Sequence, residues 1–175
     1  MKRHLKQICL MALVCLEAVF LSCSGKKDET NQVTASSTKS NVLPEWALGG
    51  FVRPEGVNPI IQPRPESKFN CPMRKEPVGW EESDTFNPAA TLKGDTICVL
   101  YRAEDNSAKG IGMRTSRIGL AESTDGITMI RRDKPVMYPA EDNAKEFEWP
   151  GGCEDPRVAM TEDGLYVMLY TAWNR

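Results

Sequence analysis

NPAATLKGDTICVLYRA, residues 87–103, and DPRVAMTEDGLYVMLYTA, residues 155–172, read as two copies of one unit. Asn87-Pro88 aligns with Asp155-Pro156 at an offset of 68. After one extra residue in the second turn, Tyr101-Arg102-Ala103 aligns with Tyr170-Thr171-Ala172 at an offset of 69. Each unit is a polar residue, a proline, a strand, a tight turn and a second, very apolar strand. The turns, Lys93-Gly94-Asp95 and Glu162-Asp163-Gly164, use residue types that tolerate positive φ. Such a repeat predicts an all-β chain, and repeated sheets around an axis are the β-propeller arrangement. The alternative is an accidental likeness of two hairpins.

The surroundings agree. From Pro44 onward, short apolar runs are separated by Gly, Pro, Asn and Asp, and no ten-residue stretch has a period of 3.6. Besides strands at residues 96–103 and 165–173, further strands are expected at 117–123 and 127–131, joined by Thr124-Asp125-Gly126 as a hairpin turn. About two blades fit between Pro44 and Arg175, whereas radial propellers have about four to eight. The expectation is therefore the N-terminal part of a larger propeller.

Residues 1–22 carry a different signal. Lys2, Arg3 and Lys6 precede an apolar stretch, Ile8 to Leu21, broken only by Glu17, and Leu21-Ser22-Cys23 follows. This is the pattern of a bacterial signal peptide, too short for a mature span, which takes about 20 apolar residues. A small residue directly before a cysteine resembles a lipobox, so Cys23 is the expected lipidation site. The alternative is an ordinary signal peptide that happens to contain it. The expected location is outside the cytoplasm, lipid-anchored to the bacterial outer membrane. Residues 26–41 have almost no apolar side chains, so 23–43 is expected to be a disordered tether, with the folded domain at 44–175.

Composition excludes several function classes. The 175 residues are 41% apolar and 26% charged, with 22 Lys and Arg against 24 Asp and Glu. A globular domain is expected, without the excess positive charge of a nucleic-acid protein. The single histidine, His4, lies in the leader, which excludes Ser-His-Asp and Cys-His catalysis and His-rich zinc sites from the rest of this chain. No compact carboxylate cluster has metal-binding spacing, so no metal is expected. Cys71, Cys98 and Cys153 follow the tether, an odd number without CxxC spacing. Buried free thiols are the expectation, one disulfide plus a spare the alternative.

The repeat also nominates residues for chemistry. In a propeller the start of each innermost strand faces the central channel, so Asn87 and Asp155, being equivalent, are expected to converge on one pocket. Asp155, flanked by Glu154 and Arg157, is a carboxylate whose pKa a polar funnel can tune for proton transfer. A solvated turn is the alternative. Arg102, at the end of an apolar strand, calls for a partner: it donates either to sugar hydroxyls or a carboxylate, or to a structural ion pair. Ser116-Arg117 is a second donor cluster with a weaker case. Trp80, Trp149 and Trp173 offer flat apolar faces suited to sugar rings, or are core. Asn174-Arg175, an amide beside a cation, can hold an anion or position a water, or form a turn.

FVRPEGVNPII from Phe51, FNPAA from Phe86, YRAED from Tyr101, SRIGLAESTDGI from Ser116, GGCEDPR from Gly151 and YTAWNR from Tyr170 together resemble glycoside hydrolase family 130. The resemblance implies a five-bladed β-propeller, of which this chain covers about the first two blades, and an enzyme that is a β-mannosidase or a β-mannoside phosphorylase. It implies that Asp155 is the general acid, delivering its proton to the glycosidic oxygen through a sugar hydroxyl in the phosphorylases. It implies sugar-binding roles for Asn87 and Arg102 and less securely for Arg117 and Arg157. The phosphorylases often carry a small hydroxyl residue after the matching Asn; Pro88 stands there, which favours inverting hydrolysis of β-mannosides over phosphorolysis. No cofactor is implied beyond inorganic phosphate as co-substrate of a phosphorylase, with Arg175 joining a basic cluster around it. A non-catalytic glycan-binding lipoprotein and an inactive truncated fragment are the competing expectations.

Overall fold

The computed structural model describes residues 43–175, and the chain divides into two units, 1–49 and 50–175. The expected signal peptide, Cys23 and all but the last residue of the expected tether lie outside the described residues. In the first unit, residues 43–49 include a turn in which the Ala47 N–H donates to the Pro44 carbonyl at 2.8 Å.

The regular structure of the second unit is strand, apart from one helical turn, with long turns and loops between. A small hairpin, β1 (Phe69–Cys71) and β2 (Glu76–Val78), accompanies a six-stranded sheet. That sheet comprises β3 (Asp84–Lys93), β4 (Thr96–Glu104), β5 (Ser116–Ser123), β6 (Ile130–Arg131), β7 (Gly152–Met160) and β8 (Tyr166–Trp173). The order is β3-β4-β5-β7-β8, with β6 beside β5. Neighbours are antiparallel except β5 and β7, which meet in parallel at Ser116 and Gly152. One helical turn, α1 (Lys145–Glu148), precedes β7. The all-β reading holds. No closed barrel forms among the described residues.

The two repeat copies are the hairpins β3-β4 and β7-β8, and they share an irregularity as well as a sequence. The β3-β4 register slips between Phe86 and Ala89, and the β7-β8 register slips between Glu154 and Arg157. At these bulges Asn87 has φ +45° and Asp155 φ +50°. Asn and Asp are the non-glycine residues that most readily adopt the left-handed region, and a bulge redirects the side chain it carries. The following prolines cannot donate to a ladder, which suits a position where pairing is already broken.

The core lies where the small hairpin packs on the main sheet. Phe69, Cys71, Val78 and Trp80 meet Val99, Tyr101, Ala103 and Ala121. Val99, Tyr101 and Ala103 alternate along β4, so they share its core face, and Arg102 and Glu104 share the opposite one. The core face also buries charge: Glu81, fully buried, pairs with Arg64 at 2.9 Å and with Arg131, and accepts from the Tyr101 hydroxyl at 2.8 Å. Trp80 stacks on Tyr101 at 6.3 Å and is fully buried, so it is core and offers no face to a sugar.

The junction between the hairpins is a close backbone approach. Gly152, at φ +118°, lies so near β5 that a Cβ would sit 2.2 Å from the Ser116 carbonyl oxygen. Only glycine allows that approach in that conformation.

One strand is shorter than its sequence suggests. The expected strand at 127–131 pairs only at Ile130 and Arg131, because the Asp125 carboxylate takes the N–H groups of Ile127 and Thr128 at 2.8 and 2.7 Å. The Ser123 hydroxyl accepts the Gly126 N–H at 2.9 Å. Side chains thus satisfy donors that a ladder would otherwise use. The three cysteines among the described residues are buried and free, as expected.

Candidate active site

The bulges bring the two repeat positions into contact. Asn87 Nδ2 donates to Asp155 Oδ1 at 2.8 Å, across 68 residues of sequence. Arg102 Nη1 donates to the same oxygen at 3.2 Å. Three residues chosen from the sequence therefore converge, and the Asp155 side chain stays about one-third exposed.

Arg102 itself is buried and engages all three guanidinium nitrogens. Its Nε donates to Ser116 Oγ at 3.0 Å, and its Nη2 lies 2.7 Å from Glu104 Oε1 and 2.8 Å from Glu154 Oε1. Its guanidinium carbon stands 4.6 Å from the Phe86 ring centroid, the position of a cation–π contact. Such a residue orients carboxylates and has little freedom to leave them for a sugar. Its contacts hold Asp155 in place.

Burial raises the Asp155 carboxyl, but the hydrogen bonds from Asn87 and Arg102 and the charges of Arg102 and Arg157 outweigh it, leaving the pKa below the usual range. The adjacent Glu154 moves the other way. Burial pushes it up, Arg102 and the Ser116 hydroxyl pull it back, and the Asp155 and Glu104 charges add to the rise. The two neighbouring carboxyls are thus shifted in opposite directions.

The remaining candidates are not drawn into this cluster. Arg117 is fully buried and pairs with Asp105 at 2.9 Å, beneath the Phe69 ring. It follows Ser116 on β5, so it points to the opposite face of the sheet, away from Asp155, and its contacts are those of a buried ion pair. Arg157 is exposed and donates to the Pro156 carbonyl at 2.8 Å, contributing charge to Asp155 rather than a contact. Asn174 donates to the Glu146 carbonyl at 2.6 Å, and Arg175 to those of Pro150, at 3.1 Å, and Met113. Both spend donors on backbone beyond the end of β8. Trp149 is half-buried and Trp173 exposed.

Glu104 is the residue sequence reasoning missed. Its signal was present: it lies two positions after Arg102 on one strand, hence on the same face. It is fully buried, and its Oε2 has no hydrogen bond among the described residues, with Arg114 Nη1 at 3.6 Å. Arg114 also pairs with Asp84.

Residues 54–175 match the profile of glycoside hydrolase family 130, described as beta-1,4-mannooligosaccharide phosphorylase. A curated relative, 1,2-beta-oligomannan phosphorylase of Thermoanaerobacter sp. (strain X514), is 34% identical over 116 residues, which is 66% of this chain and 33% of the relative. A solved structure reported as showing that this family of mannoside phosphorylases contains glycoside hydrolases that target beta-1,2 mannosidic linkages in Candida mannan is 62% identical. Its TM-score is 0.73, over 77% of this chain and 38% of that one. A glycosyl hydrolase structure from Bacteroides ovatus is also 62% identical, with TM-score 0.72 over 76% of this chain and 37% of its own. The chain spans about a third of the length of the relatives it matches.

Proposed function

The chain belongs to glycoside hydrolase family 130, a family of enzymes, and on that premise we propose that it supplies the acid side of a site that cleaves β-1,2-linked mannosides. Asp155 is the general acid, and Asn87 and Arg102 orient it. The observation that carries this reading is the meeting of Asn87, Arg102 and Asp155 at one half-open point on paired bulges.

In the resting site Asp155 is a carboxylate, so it must be loaded before it can act. A sugar hydroxyl that takes over the Asn87 donor removes part of what holds its pKa down and moves it toward neutrality. The loaded acid gives its proton to the glycosidic oxygen as that C–O bond breaks, and the nucleophile attacks the anomeric carbon from the opposite face with inversion. The departing sugar leaves with the proton.

We assign phosphate as the nucleophile and mannose 1-phosphate as the product, since the family description and the Thermoanaerobacter relative both name phosphorylases. The sequence alone favoured hydrolysis, a preference that draws less support from these comparisons. Hydrolysis is kept as a second reading on one observation, the reported hydrolases in the structure at 62% identity, with Pro88 in keeping. Incubation with β-1,2-mannobiose, with and without inorganic phosphate, separates them. Mannose 1-phosphate formed only with phosphate supports the first reading, free mannose without phosphate supports the second, and no cleavage under either condition overturns both.

The five-bladed propeller, with these residues as about its first two blades, and outer-membrane anchoring through Cys23 belong to the same proposal. The first rests on the repeated bulged hairpin and the family, the second on the sequence of residues 1–23. Labelling with a radioactive fatty acid, lost on Cys23→Ser, tests the anchor.

A further inference from the structure

The contacts around Ser116 count hydrogens. Its Oγ accepts from Arg102 Nε at 3.0 Å and lies 3.3 Å from Glu104 Oε1 and 3.1 Å from Glu154 Oε1. A hydroxyl owns one hydrogen, and an ionised carboxylate owns none. With both glutamates ionised, one of the two contacts is a repulsive pairing of oxygens in a buried place. A hydrogen on Glu154 Oε1 completes the set: that O–H donates to Ser116 Oγ, which accepts twice and donates to Glu104, while a lone pair of the same oxygen faces Arg102 Nη2 at 2.8 Å.

The charges point the same way. Glu104, Glu154 and Asp155 all lie on Arg102, and Asp84 and Arg114 complete the charged surroundings, with Arg157 beyond Asp155. Glu104 stands between two guanidinium groups, whereas Glu154 has only a share of one. Negative charge is better compensated on Glu104, so the surplus proton belongs on its neighbour. Two carboxyls sharing one site do not both ionise readily. The upward shift of Glu154 by burial and by the charges of Asp155 and Glu104 is consistent with this.

We propose that Glu154 is a protonated carboxyl in the resting site and a positioning residue, neutral so that Glu104 and Asp155 are the two full negative charges on the Arg102 guanidinium. Its consequence for catalysis rests on the reading of Asp155 as the acid. When Glu154 loses its proton at alkaline pH, a third full charge competes for Arg102 and the hold on Asp155 is altered, which gives the pH profile an alkaline limb.

The test is the carboxyl state itself, followed by the rate. With glutamate carboxyls isotopically labelled, infrared or carbon resonance spectra of the protein at neutral pH are expected to show one protonated glutamate, absent from Glu154→Gln. No protonated glutamate in the parent at neutral pH overturns the proposal, as does a signal that persists in a folded Glu154→Gln, and neither outcome needs activity. In mannoside cleavage, Glu154→Gln, which keeps a hydrogen donor, is expected to stay within about threefold of the parent at neutral pH and to lose the alkaline limb. Glu154→Ala is expected to fall at least about tenfold. A folded Glu154→Gln as poor as Glu154→Ala, or with an unchanged profile, overturns it. If the parent cleaves no mannoside the functional reading fails, and the spectra still decide this one.

Discussion

Replacing Arg102 by methionine removes the cation that three carboxyls share while keeping most of the packing volume. Its weight follows from exposure. The Asp155 side chain is one-third exposed, so that contact contributes on the scale of a surface pair, about 1 kcal/mol at most. Glu104 is wholly buried and Glu154 nearly so. Removing one partner of a buried pair costs about 3–5 kcal/mol, because the stranded charge stays desolvated. At about 2–4 °C per kcal/mol for a chain of this size, the melting temperature falls by about 10 °C. The pH dependence carries the mechanism. Without the guanidinium, Glu154 loses the charge that pulls its raised pKa back and Asp155 loses one of the contacts that hold its pKa down, so both folded-state values move up. Their destabilisation is then felt above the folded pKa and relieved as pH falls toward the unfolded one. In the parent, Asp155 has the opposite sign: its depressed pKa stabilises the fold above the unfolded pKa, and that share is lost as pH falls through the folded value. Urea melts at about pH 8 and about pH 5 are therefore expected to show a smaller gap between variant and parent at the lower pH. A loss under about 1 kcal/mol, or a gap that widens at low pH, refutes the reasoning.

Two further outcomes follow from packing. Gly152→Ala forces a Cβ toward the Ser116 carbonyl at a positive φ, and is expected to destabilise by about 2–5 kcal/mol, from strain plus overpacking, in urea melts. The Cys153 thiol is fully buried and pushed far up by burial and by Glu148, so iodoacetamide is expected to leave it unmodified until the fold opens, as read by mass spectrometry.

The repeat made much of this legible in advance. Asn87-Pro88 and Asp155-Pro156 read as equivalent because each marks a bulge in the left-handed region, a local demand that residue type alone can signal. Strands β4 and β8 were legible from apolar runs after Gly-containing turns. Arg117 was not, because alternation says that Ser116 and Arg117 face opposite ways but not which face the small hairpin will cover. That face is decided by Phe69 and Trp80, far away in sequence. Residues 127–129 failed as a strand because the Asp125 side chain took their donors, a competition between ladder and turn that composition does not resolve. Arg102 was correctly marked as needing a partner, yet its partners included Glu104 and Glu154, and only the sheet register brings those three together.

The central claim is that Asp155 gives the proton. The measurement that tests it most directly is the rate of β-1,2-mannoside cleavage by Asp155→Asn beside its affinity for the same sugar, since the amide oxygen still accepts from Asn87 and Arg102. The account predicts a rate at least about a hundredfold lower with binding within about threefold of the parent. A variant that cleaves within about threefold of the parent contradicts it.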